Sequence, residues 1–313
     1  MSAAPPDGGL AKRFPGLDPT YAGLLDAART SGAAPLYELD PQALRDRVDA
    51  GDVFTAAGPD MLDVQDVTLG DGLSVRRYLP HRMRTDAVLV WFHGGGWTTG
   101  GVGYSDAFCR MLADGVGIEV RSVDYRLAPE HRFPAAVDDA LRAARQAATT
   151  APIVVGGDSA GGNLAAVVTQ QLHADDTVDV IGQLLVYPVV DADRSRPSYL
   201  RNDGVVLGVE EMGWFFDRYV PEPGDRESVL FAPLRADDVR GLPPAVIAVG
   251  GHDPLYDEGV AYAAKLRAAG VAVTLLDFAA LPHGFLRFTG PVPAAADAAG
   301  RIVAAATRLV HPA

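Results

Sequence analysis

The stretch PIVVGGDSAG, at residues 152–161, decides how this chain is interpreted. An apolar run typical of a buried strand leads into a glycine-rich turn, and the turn leads into residues that favour a helix. Small neighbours allow Ser159 to occupy a sharp, strained turn with its hydroxyl exposed. The pattern G-x-S-x-G is therefore a candidate nucleophile elbow. Because glycine-rich turns that contain a serine are common, this interpretation depends on the rest of the chain.

The composition of the 313-residue chain is that of an ordinary globular protein, with 48% hydrophobic and 21% charged residues. A net charge of -13 argues against nucleic-acid and anionic-membrane partners, which select basic surfaces. Cys109 is the only cysteine, which excludes an intrachain disulfide. The sequence has no stretch typical of a signal peptide or of a membrane span, and we therefore expect a cytoplasmic protein.

From residue 87 onward, strand patterns alternate with helix patterns. Strands are predicted at residues 87–92, 118–123, 153–155, 181–187, 245–249 and 271–278. Helices are predicted at residues 105–114, 134–147, 161–173, 256–269 and 293–309. A hairpin that turns at residues 70–72 precedes them. This alternation predicts an α/β fold with a mostly parallel central sheet and helices on both faces.

Two segments lie outside this alternation. Residues 16–50 contain two short helical patterns whose leucines need a covering partner, and residues 191–223 are longer than a simple crossover requires. Aromatic residues in the second segment follow a helical period, a pattern that more often reflects core packing than a binding site. We predict that both segments form a cap over the carboxyl edge of the sheet. The predicted organisation is a cap segment at 1–50, a catalytic domain at 51–190 and 224–313, and a cap insertion at 191–223.

Candidates for a base and an acid follow later strands. A serine hydroxyl needs a base to act as a nucleophile at neutral pH, and this is usually a histidine oriented by a carboxylate. Asp253 follows the strand predicted at 245–249, and His283 follows the last predicted strand. With Ser159 they occur in the order serine, acid, histidine of α/β-hydrolases, each on a loop where open α/β sheets place their sites. Each residue alone is more often an ordinary loop residue. His252 is the rival base, but it precedes the acid.

The sequence HGGGW at residues 93–97 follows another predicted strand. Consecutive glycines allow backbone N–H groups to converge on one point, as the stabilisation of an oxyanion requires, and the N–H of Ala160 can join them. A flexible loop or a phosphate nest is the alternative, but neither explains why this motif occurs in the same chain as the elbow. The chain has no G-x-x-x-x-G-K-[ST] pattern, and no pair of histidines at i, i+4 on a helix. We therefore expect neither a cofactor nor a metal.

Taken together, these motifs resemble the hormone-sensitive-lipase-like esterases of the α/β-hydrolase fold. The matching segments are HGGGW at 93–97, DYRLAPEH at 124–131, GDSAGGNL at 157–164, DPLYDE at 253–258 and HGF at 283–285. The resemblance covers the chain from about residue 35 to its end. It implies Ser159 as the nucleophile, His283 as the base and acid, and Asp253 as the orienting carboxylate.

The resemblance also implies an oxyanion hole and an acyl pocket. The hole is formed by the amides of Gly95, Gly96 and Ala160, while Gly94 mainly shapes the loop. Residues 124–131 have a supporting role without chemistry, and the cap shapes the pocket. The bulky residues expected to limit its depth are Trp97, Leu207, Met212, Trp214 and Phe215. Asp158 has no assigned role.

The function implied is that of a carboxylesterase acting on small-molecule esters with short to medium acyl chains. An acyltransferase, or a hydrolase of amides, carbamates or lactones, would use the same acyl-enzyme. A non-catalytic ligand binder is the third alternative, since plant hormone receptors resemble this family, but such receptors lack the histidine. A homodimer through the last predicted strand, residues 271–278, is a further expectation because an edge strand offers unpaired backbone groups.

Overall fold

The computed structural model of the protein describes residues 9–32, 34–50, 54–70 and 72–312. Its centre is an eight-stranded sheet with the strand order β1-β2-β4-β3-β5-β6-β7-β8. The strands are β1 (Asp63–Thr68), β2 (Ser74–Leu79), β3 (Val88–Phe92), β4 (Glu119–Asp124), β5 (Ile153–Asp158), β6 (Val180–Val186), β7 (Ala245–His252) and β8 (Val273–Pro282). β2 pairs antiparallel with both β1 and β4, and all pairs from β4 to β8 are parallel.

Helices connect and cover these strands. They are α1 (Gly9–Arg13), α2 (Pro19–Thr30), α3 (Pro41–Ala50), α4 (Asp106–Leu112), α5 (Ala135–Ala148), α6 (Ala160–Leu172), α7 (Pro197–Arg201), α8 (Val209–Tyr219), α9 (Tyr256–Ala268) and α10 (Pro293–Val310). Across the described ranges, none of the helices combines the length and the apolar character that a bilayer crossing requires.

The sheet is buried on both faces. In β3, the side chains of Val88, Val90 and Phe92 pack into the core cluster that also contains α5, α6 and α9. Leu89 and Trp91 point the other way, into the cluster with α4 and α10. Burial on both faces explains why the parallel strands read as continuous apolar runs. The predicted α/β-hydrolase sheet is confirmed.

The ends of several strands lie beyond the residues that the sequence predicted. β5 continues past the predicted residue 155 through Gly156 and Gly157, because it lies between β3 and β6 and pairs with both. Glycine lowers intrinsic strand propensity, but pairing on both sides overrides this preference. β7 and β8 likewise extend to His252 and Pro282, where these two residues face each other. Asp71, in the predicted hairpin turn, lies outside the described residues.

The N-terminal segment and the insertion after β6 contact each other. Leu10 and Phe14 belong to one small apolar cluster with Val205 of the insertion. The Arg29 guanidinium on α2 donates to the carbonyls of Gly204 and Val205. In the described part of residues 16–50 the structure has two α-helices, α2 and α3, as the sequence predicted, with a short 3₁₀ turn at Leu36–Glu38 between them. Residues 1–8, 33 and 51–53 lie outside the described ranges, and the division into cap and catalytic domain stays a prediction.

A methyl group at Gly161 should destabilise the fold. An added Cβ would lie 1.9 Å from the carbonyl oxygen of Phe92, so β3 or the start of α6 would have to shift. We expect Gly161→Ala to lower the free energy of unfolding, measured by urea denaturation, by about 3 kcal/mol. Gly300→Ala on α10 is the control, because its Cβ would meet no atom within 4 Å. The control should gain up to about 1 kcal/mol from helix propensity. Equal stabilities of Gly161→Ala and the wild type would contradict this account.

Candidate active site

Ser159 lies in a strained turn between β5 and α6. Its φ of 55° and ψ of -118° lie outside the regions that residues with a side chain favour. The turn has no room for larger neighbours, because a Cβ at Gly157 would lie 2.3 Å from the carbonyl group of Gly161. The Ser159 N–H donates to the carbonyl of Val186 at 2.9 Å. This packing holds the hydroxyl out from the backbone at the carboxyl edge of the sheet.

The serine hydroxyl is the first member of a chain of hydrogen bonds. Ser159 Oγ lies 2.9 Å from His283 Nε2, and His283 Nδ1 lies 2.7 Å from Asp253 Oδ2. Asp253 is 1% exposed, and its second oxygen accepts the Leu255 N–H at 2.8 Å. Each member follows a different strand, since Asp253 comes directly after β7 and His283 directly after β8. The fold therefore brings together the three residues that the sequence predicted as a triad.

His252, the rival base, and His93 of the glycine loop have different environments. His252 is partly buried, its side chain bonds to the backbone of Gly16, and burial lowers its pKa. His93 stacks on Tyr125, with ring centroids 4.2 Å apart, and its Nδ1 lies 2.7 Å from the carbonyl of Gly94. Complete burial lowers the pKa of His93 to about 4, so its ring is neutral near pH 7. Of these three histidines, only His283 is hydrogen-bonded to Ser159.

Gly95 and Gly96 of the glycine loop after β3 line the same cavity as Ser159. Gly95 and Gly96 have φ values of 116° and 59°, in the region that favours glycine. A Cβ at Gly95 would lie 2.2 Å from the Thr99 carbonyl oxygen, and one at Gly96 would lie 2.2 Å from the Phe215 ring. Ala160 is the first residue of α6, so its N–H has no acceptor within the helix. These three amides are the ones that the sequence predicted as an oxyanion hole.

Asp158, to which the sequence gave no role, holds this loop. Its Oδ1 accepts the Gly94 N–H at 2.9 Å, and its Oδ2 lies 3.4 Å from the Tyr187 hydroxyl. The N–H of Gly94 is therefore occupied, in line with the predicted loop-shaping role of this glycine. Burial raises the pKa of Asp158 to about 6, although the Gly94 N–H and the nearby His283 lower it. The contribution of Asp158 to stability therefore declines as the pH rises through about 6.

Arg45 joins the N-terminal segment to the same loop. From α3, its Nε donates to the Thr98 carbonyl at 2.9 Å and its Nη2 donates to the Ala128 carbonyl at 3.0 Å. The guanidinium also pairs with both oxygens of Glu130, and this lowers the pKa of Glu130 to about 2. Ala128 in turn donates its N–H to the Trp97 carbonyl at 2.8 Å. Residues 124–131 thus support the glycine loop, as the sequence predicted.

A cavity of about 810 Å³ opens above Ser159. Four of the five residues predicted for the pocket line it: Trp97, Leu207, Met212 and Phe215. Trp214 does not line it: its buried indole packs edge-on against Phe215, and the Arg218 guanidinium lies 3.5 Å from its ring centroid.

The N-terminal segment supplies part of the cavity wall, although none of its residues was predicted for the pocket. Its lining side chains include Leu25, Leu36, Leu44 and Val48, and Phe54 follows just after the segment. Three of these leucines belong to the helical patterns that were expected to need a covering partner. The sequence predicted that these helical patterns lie over the carboxyl edge of the sheet, but it did not indicate which of their side chains face the cavity.

Comparisons with known proteins agree with this geometry. Residues 89–287 match a family described as having the alpha/beta hydrolase fold. A carboxylesterase of Mycobacterium tuberculosis is 41% identical over 268 residues, which cover 80% of this chain and 84% of that protein. An ethyl acetate hydrolase of Pseudomonas putida is 36% identical over 286 residues, which cover 85% of this chain and 90% of that protein.

A solved structure gives the same result. The crystal structure of a thermostable esterase from Pseudomonas putida matches with a TM-score of 0.88 and 31% identity, over 95% of this chain and 98% of that one. The family match spans well over half of the 313 residues. The chain therefore belongs to the α/β-hydrolase family, among the hormone-sensitive-lipase-like esterases whose motifs it carries.

Proposed function

We propose that this protein is a serine carboxylesterase that hydrolyses small esters through an acyl-enzyme. The observation that carries the proposal is the chain of hydrogen bonds from Ser159 through His283 to Asp253 at the base of a largely apolar cavity. Relatives named carboxylesterase and ethyl acetate hydrolase support the same reaction class.

In the first step, Ser159 Oγ attacks the ester carbonyl while His283 Nε2 takes its proton. The Asp253 carboxylate holds the ring by its Nδ1 hydrogen and stabilises the imidazolium that forms. The carbonyl oxygen becomes an oxyanion, which the N–H groups of Gly95, Gly96 and Ala160 stabilise. Collapse of this intermediate expels the alkoxide, which leaves as the alcohol with the proton from His283.

In the second step, water replaces the alcohol. His283 takes a proton from the water as its oxygen attacks the acyl carbon, and the same three amides stabilise the second oxyanion. The Ser159 oxygen then leaves and recovers a proton from His283, so the free acid and the original enzyme are formed. The apolar cavity favours this route because it binds the acyl or alkyl chain close to the serine.

The alternatives have less support. The bond between His283 and Ser159 argues against a non-catalytic binder, since an inactive receptor does not need a base beside its serine. An acyltransferase or an amide, carbamate or lactone hydrolase would use the same acyl-enzyme, and no contact in the described residues favours any of them.

A homodimer through the last strand is part of the proposal. β8 forms one edge of the sheet, so the outer backbone groups of Val273–Pro282 face away from the other strands. Arg267 already occupies the carbonyl of Val273 at 3.2 Å, and the Asp18 N–H occupies that of Ala280 at 2.9 Å, which leaves the middle of the strand as the pairing surface. An antiparallel partner strand would satisfy those groups.

Replacing the nucleophile should abolish turnover and leave the fold intact. We expect Ser159→Ala to lower kcat for nitrophenyl acetate by at least about 10⁴-fold. An organophosphate should label the wild type on Ser159 and leave the variant unlabelled. Thermal unfolding of both proteins is the control for folding. Near-wild-type rates in the variant would refute the mechanism.

The cavity should limit the length of the acyl chain. We expect rates on a series of nitrophenyl esters to peak at short or medium chains and to fall by about twelve carbons. Phe215→Ala removes the ring that packs beside Gly96 and so enlarges the cavity. It should move the maximum rate to esters with longer acyl chains. Trp214→Phe, outside the lining, should leave it unchanged. A rate that rises steadily beyond about twelve carbons would exclude a pocket of this depth.

Removing the acceptor that holds the glycine loop should impair catalysis. Asp158→Ala leaves the Gly94 N–H without its partner, and we expect kcat to fall by about 10²-fold, comparable to the loss of one oxyanion donor. Asp158→Asn keeps an acceptor oxygen and should lose less than about tenfold. Steady-state kinetics at pH 8 test both variants. If Asp158→Ala stays within twofold of the wild type, Asp158 does not position the loop.

A further inference from the structure

The insertion after β6 is bonded to the turn that carries Asp253. In α7, the buried Ser198 hydroxyl donates to the carbonyl of Pro254 at 2.6 Å. Directly after α7, the Asn202 side chain donates from Nδ2 to the carbonyl of Asp253 at 2.9 Å and to that of Gly251 at 3.3 Å. The predicted cap insertion therefore contacts the backbone of the acid as well as the cavity.

Asn202 restrains a part of the chain that the sheet does not. The pairing of β7 with β8 ends at His252, one residue before Asp253. Beyond that point the Asp253 carbonyl is held by the Tyr256 N–H at 3.1 Å and by Asn202. Because one amide group bonds the carbonyls on both sides of His252, it fixes the direction of the chain there. Asn202 is 1% exposed, so water does not compete for these bonds.

The position of this backbone matters for the triad. The 2.7 Å bond from Asp253 Oδ2 to His283 Nδ1 tolerates little movement of the carboxylate. A shift of about 1 Å in a catalytic group can reduce a rate by about 10²-fold. A restraint on the Asp253 carbonyl is thus a restraint on the orientation of His283.

The same segment continues into the cavity wall. Gly204, Val205, Val206 and Leu207 line the cavity. Arg29 from α2 donates to the first two of their carbonyls. Asn202 therefore lies where the wall that contacts a substrate meets the turn that carries the acid.

We propose that Asn202 is a positioning residue for the reaction, which holds the Asp253 turn through the carbonyls of Gly251 and Asp253. The proposal rests on the proposed function, because it needs Asp253 to act on His283. Asn202 does not touch the substrate or the reacting atoms. Its effect on the rate passes entirely through the carboxylate of Asp253.

A purely structural role makes a different prediction. Asn202 is a buried amide at the end of α7, and its loss can lower stability without any link to the acid. Such a loss would reduce activity by the same factor whether or not Asp253 carries a carboxylate. Positioning requires the effect to vanish once the carboxylate is absent.

The test is a double-mutant cycle. Asn202→Leu keeps the shape of the side chain and removes both N–H donors. We expect it to lower kcat for nitrophenyl acetate about tenfold in the wild type, with KM within about twofold. In an Asp253→Ala background the same substitution should change kcat by less than about twofold. Asn202→Ala, which introduces no clash, is measured in parallel, and thermal unfolding reports folding.

Asn163 provides a matched control. It is also a buried asparagine, and its Nδ2 donates to the carbonyls of Val189 and Phe231 at 3.0 and 2.7 Å. Neither of these bonds reaches the turn that carries Asp253. The effect of Asn163→Leu on kcat should therefore be the same with and without the Asp253 carboxylate.

Several results would overturn the proposal. One is an equal fold-loss in kcat for Asn202→Leu with and without the Asp253 carboxylate. Wild-type rates in both Asn202 variants, or failure of both variants to fold, would also overturn it. The proposed function is tested separately by the wild type and Ser159→Ala. If the wild type is active and Ser159→Ala is inactive, the esterase mechanism stands even when the effects of the Asn202 and Asp253 substitutions on kcat are independent. A wild type without esterase activity would remove the basis of both.

Discussion

The parallel pairing of β3 with β5 is the constraint on which the rest of the site depends. Phe92 faces Gly157 in this register, so the loops that leave the two strands start side by side. The elbow then packs so closely against the end of β3 that no side chain fits at Gly161. As a result, Ser159 and the amides of the glycine loop share one small volume at the sheet edge.

Polar contacts transmit this arrangement outward. Asp158 holds the glycine loop from the side of β5, and Arg45 holds its far end from α3. Asn202 bonds the acid turn from the insertion. Both segments predicted as the cap therefore reach the catalytic loops through hydrogen bonds to backbone carbonyls. Hydrogen bonds between side chains and the backbone are strongest where water is excluded, which is the case for the buried Asp158 and Asn202.

The sequence was sufficient for the parts of the site that follow local rules. Continuous apolar runs identified the parallel strands, and the positions of Ser159, Asp253 and His283 after strands predicted one shared edge. The sequence was less successful in predicting which side chains face the cavity, because the packing of helices decides this. The helical stripe at 210–219 could not separate Phe215, which lines the cavity, from Trp214, which does not. These residues are adjacent in the chain, and only the rotation of α8 against the sheet distinguishes their directions.

By itself, the sequence determined the α/β class, the elbow, the glycine loop and the order of serine, acid and histidine. Each of these depends on local hydrophobic periodicity or on glycines that allow unusual backbone conformations. Only the tertiary structure decided which acceptor holds Gly94, which cap residues face the cavity, and that Asn202 bonds the turn of Asp253. These contacts join residues about 50 or more positions apart. Their geometry depends on strand register and helix rotation, which no local pattern in the chain encodes.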